Sequence, residues 1–172
     1  MTRTGTARGS APTPGSYKLG RLLVEREWLT ADQLSAGLKH QMVFGGRLGT
    51  CLLELNLISE ERLAKALCEQ HGLPSARLED LRTIPPAVLE LIPARMACRS
   101  KVVPFHKYGT ELSVVMLDVR DLMTQDELAF VTSKRVRLHV APEVRILEAL
   151  EKHYGLEVEV RFTRIWDRLN RA

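Results

Sequence analysis

The chain has 172 residues, of which 45% are apolar and 27% charged, with a formal net charge of +4. That balance suits one ordinary globular unit, or two small ones sharing a core, and excludes wholesale disorder. No apolar run approaches the roughly 18 residues needed to cross a bilayer, and the opening MTRTGTARGSAPTPG holds no apolar signal segment.

Cys51, Cys68 and Cys98 are odd in number and lack C-x-x-C spacing, so neither a disulfide framework nor a zinc knuckle is expected. A reducing, cytoplasmic setting without membrane insertion is the resulting expectation. Arg3 and Arg8 supply half of the charge excess, and the rest is diffuse. The densest basic run is only Lys134-Arg135-Val136-Arg137, whereas nucleic-acid binders concentrate Lys and Arg in a stripe. No nucleic-acid partner is expected.

Residues 1–16 read as a flexible N-terminal tail. Residues 17–72 carry an internal duplication. KLGRLLVEREWLTADQLSAGLKHQ (residues 18–41) aligns without a gap with RLGTCLLELNLISEERLAKALCEQ (residues 47–70). The identical pairs are Leu19/Leu48, Gly20/Gly49, Leu23/Leu52, Glu25/Glu54, Leu34/Leu63, Leu38/Leu67 and Gln41/Gln70. Each copy reads as a helix hairpin, with Leu19, Leu22 and Leu23 on one helical face and Leu34 and Leu38 one turn apart on the next. Thr30 with Gln33 forms a capping box, and Ser59 followed by Glu60 and Glu61 starts the corresponding helix of copy two. Phe44-Gly45-Gly46 joins the copies, and Gly72-Leu73-Pro74 ends the fourth helix.

Residues 73–155 change period. Pro85-Pro86 opens a short helix. Val102–Lys107 and Glu111–Leu117 read as strands joined through Tyr108-Gly109-Thr110. Thr124 with Glu127 is expected to cap a helix, Val136–Val140 to form a third strand, and Pro142 to open a helix closed by Gly155. The fold class is therefore α+β: a four-helix subdomain of two repeated hairpins, then a small α/β subdomain with an antiparallel or mixed sheet of three or four strands. In residues 156–172, Leu156, Val158, Val160 and Phe162 alternate with polar residues, which predicts a strand followed by a short helix. This extension either completes the sheet, the favoured reading, or docks on another chain.

The tandem pattern RLGxxLLxxGLIxxxxLxxxLxxQ resembles the MshE-type N-terminal domain, the regulatory N-terminal domain of type II secretion and type IV pilus assembly ATPases. His71-Gly72-Leu73-Pro74, Val103-Pro104, Asp118 and Ala141–Gly155 follow in that family's order. No G-x-x-x-x-G-K-[ST] occurs in the sequence, so the resemblance implies the regulatory module alone, without the ATPase domain and without enzymatic activity. It further implies cyclic di-GMP as ligand, with a protein partner in a secretion or pilus system. The site residues it implies are Lys18, Leu19, Gly20, Leu34, Leu38 and Gln41 from copy one, and Arg47, Leu48, Gly49, Leu63, Leu67 and Gln70 from copy two.

The chemistry suits that ligand. A guanidinium forks onto a phosphate or a guanine edge, the glycines let backbone amides come close, the leucines pack on base and ribose, and the glutamine amides pair with guanine. Copy one departs from the pattern in carrying Lys18, a point charge, in place of arginine. The glycine of the motif is Glu27 in copy one and Asn56 in copy two. The alternative function is a protein–protein adaptor of the same fold that has lost nucleotide binding. His40, His71, His106, His139 and His153 show no metal-binding spacing, no G-x-S-x-G elbow occurs, and no cofactor is expected.

Overall fold

The computed structural model describes residues 14–172, with side chains from Leu19 onward. Of the expected tail, residues 1–13 lie outside the described residues, while Pro14–Ser16 belong to the first helix. The Lys18 side chain likewise lies outside them.

The four expected helices are α1 (Pro14–Glu25), α2 (Ala31–Phe44), α3 (Leu48–Glu54) and α4 (Glu60–His71). Thr30 closes both arms of its capping box: its hydroxyl accepts from the Gln33 amide at 3.2 Å, and its own amide donates to Gln33 Oε1 at 2.9 Å. Ser59 accepts from the Arg62 amide, and Gly72 ends α4 in the left-handed conformation. The hairpins interlock, α1 packing on α4 and α2 on α3, so each copy buries the other's leucines.

The turn inside each hairpin has a left-handed residue, Glu27 (φ 56°) in copy one and Asn56 (φ 55°) in copy two. Asparagine adopts this conformation readily and glutamate does not. Glu27→Gly is therefore expected to raise unfolding free energy by about 0.5–1 kcal/mol, since the relief of strain exceeds the added unfolded-state entropy. Urea denaturation reads this directly, and a loss of stability would show that the turn carries no strain.

Beyond α4 come α5 (Leu78–Arg82), α6 (Pro86–Leu89) and α7 (Ala94–Ser100), then β1 (Val102–Tyr108) and β2 (Glu111–Met116). α8 (Leu122–Thr132) crosses to β3 (Arg135–His139), which leads to α9 (Glu143–Tyr154) and α10 (Val160–Arg171). The sheet is mixed and three-stranded in the order β1-β2-β3, antiparallel for the hairpin and parallel for β2 with β3. A register irregularity falls between Pro104 and His106 on edge strand β1, where a proline costs no ladder hydrogen bond. α8 starts earlier than expected, because Asp121 rather than Thr124 is the cap: its carboxylate accepts from the Thr124 amide and hydroxyl.

The strand expected at Leu156–Phe162 does not form, so the extension does not complete the sheet. Residues 156–159 are irregular and α10 begins at Val160, which is 63% exposed. Phe162, Ile165, Trp166 and Leu169 recur at helical spacing. A helix satisfies its own backbone while burying Phe162, Ile165 and Trp166, whereas a strand needs a partner edge.

α9 lies at the centre, packing on α3, α5, α7, α10 and β1. Arg145 is 3% exposed there. Its guanidinium donates twice to Glu60 at the start of α4, at 2.5 and 2.7 Å, and also reaches Glu148 and Asn170. One buried cation thus ties the repeat hairpins to α9 and α10.

Candidate functional site

The N-terminal half of α3 faces the ends of β2 and β3 across a cleft of about 370 Å³. One wall comes from the repeats: Leu19, Gln41, Arg47, Leu48, Gly49, Leu63, Leu67 and Gln70. All six copy-two residues expected in the site therefore line it, but from copy one only Leu19 and Gln41 do. Gly20, Leu34 and Leu38 pack beside it without lining it. The cleft thus gathers the whole copy-two set and two residues of copy one.

Packing explains the motif glycines. A Cβ on Gly20 would lie 2.8 Å from Leu34 Cδ1, and one on Gly49 would lie 2.9 Å from Leu63 Cδ1. The same glycine–leucine contact closes both hairpins. Gly37, unremarked in the sequence, serves the joint between copies, since a Cβ there would meet Leu52 Cδ2 at 2.6 Å.

The opposite wall has no counterpart in the motif. Leu117, Asp118, Val119 and Arg120 follow β2, while Val140, Ala141 and Glu143 follow β3. These are the carboxyl ends of two parallel strands, the usual location of ligand crevices in sheets with such crossovers. Asp118 and Ala141–Gly155 stand in the family's order, but nothing in the sequence marks them as lining a site. Thr50 joins the walls, its hydroxyl donating to Glu143 at 2.5 Å.

The electrostatics are mixed. Arg47 caps α3 in an extended conformation, with its side chain exposed, and Arg120 is exposed on the facing loop. Among the described residues neither guanidinium is held in an ion pair, so both charges are available to an anion. Asp118 and Glu143 place carboxylates on the same rim. The Gln41 amide donates to the Gly46 carbonyl at 2.8 Å and so braces the loop that carries Arg47. A ligand with anionic groups, flat rings and hydrogen-bond donors matches this lining.

Residues 71–160, just over half of the chain, match the MshEN domain family. The chain is 34% identical over 140 residues to the type IV pilus assembly ATPase PilB of Myxococcus xanthus, covering 81% of this chain and 25% of that protein. It is 32% identical to bacteriophage adsorption protein B of Escherichia coli K12, covering 88% of this chain and 19% of that one. It therefore spans a quarter or less of these relatives. A solved structure of MshE with cdg, that is cyclic di-GMP, superposes with a TM-score of 0.60 at 30% identity, over 79% of this chain and 98% of that one. The chain belongs to the MshEN domain family, the regulatory domain type found in pilus and secretion ATPases. No described helix is long and apolar enough to cross a membrane.

Proposed function

We propose that this chain is a non-enzymatic regulatory module that binds one cyclic di-GMP in the cleft and signals to a secretion or pilus machinery. The observation that carries the reading is the gathering of the whole copy-two motif, with Leu19 and Gln41, around one cavity that has Arg47 and Arg120 on its rim. The ligand carries two phosphates, each able to take a guanidinium fork. Leu48, Leu63 and Leu67 offer apolar faces to a base. The amide of Gln70 complements guanine's edge, and the carboxylates of Asp118 and Glu143 accept its N–H groups. MshE binding the same nucleotide on this fold supports the reading.

Lys18, Gly20, Leu34 and Leu38 belong to a weaker half-site in this reading, with lysine providing charge but no fork. Competition against a fluorescent cyclic di-GMP tests the function. Unlabelled cyclic di-GMP is expected to displace it, and GMP, with one base and one phosphate, to do so at least about tenfold less well, having lost contacts worth 1.4 kcal/mol or more. Equal displacement by GMP would mean that the cleft holds only half of the ligand.

A second reading, the protein adaptor, has its own observation. Leu122, Met123 and Phe130 are 69%, 84% and 86% exposed on α8 and form an apolar face. In this reading the face contacts a protein of the machinery, and nucleotide binding is absent.

A further inference from the structure

After its first residue α10 lies beyond the residues that match the family, yet it grips the helix whose first turn lines the cleft. Arg161 donates through Nε and Nη2 to both carboxylate oxygens of Glu54, at 3.0 and 2.6 Å, and through Nη1 to the Phe44 carbonyl at 3.0 Å. Arg168 donates to the carbonyls of Leu53 and Glu54 at the end of α3. Glu54 also meets His40 Nε2 at 3.0 Å, which brings α2 into the same cluster.

The segment so held is the link between the repeats. Gly45 and Gly46 have φ of 70° and 86° and no side chains of their own, so outside contacts must define their path. Three successive carbonyls are bonded by three different side chains. Phe44 accepts from Arg161, Gly45 from the Cys51 thiol at 3.4 Å, and Gly46 from Gln41. The Arg161 guanidinium lies against Gly46, 3.4 Å from where a Cβ would stand. Gly46 and the next residue, Arg47, line the cleft. Burial alone would raise the Glu54 carboxyl, but its hydrogen bonds from Arg161 and His40 outweigh this and hold it below the usual carboxylate range, so the clamp is charged at neutral pH.

We propose that α10 is a strap coupled to the cleft: through Arg161 and the Phe44–Gly46 loop, docking of α10 and occupancy by the nucleotide each strengthen the other. The inference rests on the cyclic di-GMP reading above. Its physical basis is ordering. A docked Arg161 has already restricted the two glycines that a ligand on Arg47 needs in place, and by linkage a bound ligand must hold α10 down to the same degree. Arg161 is thus a positioning residue, which itself does not line the cleft.

Hydrogen exchange and titration of cyclic di-GMP on the full chain test this. In the wild type, ligand is expected to slow exchange of the α10 amides, far from any direct contact. Arg161→Ala is expected to speed exchange at residues 45–48 and to weaken binding about five- to tenfold, the effect of one charge-assisted interaction passed through the loop. Arg161→Lys, which keeps charge near Glu54 and folds more safely, is expected to fall between. Wild-type protein that binds the nucleotide with α10 exchange unchanged, or variants that lose thermal stability at unaltered affinity, would overturn the coupling and leave the binding reading intact. Absence of binding to the wild type would overturn both.

Discussion

Arg145→Ala is expected to be the most damaging single substitution in the chain, lowering the unfolding free energy by about 3–5 kcal/mol. The guanidinium is almost wholly buried and bonds Glu60, Glu148 and Asn170, on three different helices. Removing it strips Glu60 of its guanidinium partner and leaves a void, while Glu148 keeps Arg82 at 3.8 Å and the Asn170 amide. Both carboxylates keep some solvent contact, which places the loss toward the lower end of that range. Arg145→Met is expected to recover part of the loss, since the stem refills the void while Glu60 stays unpaired. Urea unfolding followed by circular dichroism measures both variants. A loss below about 1 kcal/mol for the alanine variant would put this network among exposed pairs that contribute little.

Arg47→Ala is expected to act on binding alone. Its side chain is exposed, makes no capping hydrogen bond on α3, and lines the cleft. Loss of a charge-assisted contact to phosphate or guanine should weaken cyclic di-GMP by about 1.5–3 kcal/mol, tenfold or more in affinity. Melting temperature should stay within a degree or two of wild type, because little that holds the fold depends on this side chain. Arg47→Lys should be intermediate, as charge remains and the planar fork is lost. Unchanged affinity in the alanine variant would remove Arg47 from the site.

What the sequence made readable follows from how local the physics is. Thr30, Ser59, Gly72 and Gly155 act on their nearest neighbours, and the helices they bound stand where their chemistry puts them. The β1–β2 hairpin was equally plain from Gly109 between two β-rich runs. The helix through Ile165, Trp166 and Leu169 is legible, but its start is not, because residues 156–162 alternate while residues 162–169 repeat at helical spacing, and only the contacts with α9 and α3 decide between the two. Arg145 stands in an amphipathic helix like any solvated arginine, and nothing near it in sequence marks it as buried.

For the cleft, the duplicated motif pointed to one wall, and the other, from Leu117 to Arg120 and Val140 to Glu143, depends on the sheet's topology. The motif alone leaves the glycines open between admitting a ligand and serving close helix packing; in the structure Gly20 and Gly49 make room for Leu34 and Leu63, while Gly49 also lines the cleft. Lys18 and Glu27 already mark copy one as the weaker half, and the repeat wall of the cavity comes mainly from copy two.

Titration calorimetry of the unmodified chain with cyclic di-GMP tests the central claim most directly. One ligand per chain, bound with micromolar or better affinity, about −8 kcal/mol or stronger, is the predicted result. A silent titration up to high micromolar ligand would contradict it, and would leave this chain as a protein-contact module that keeps the fold without the messenger.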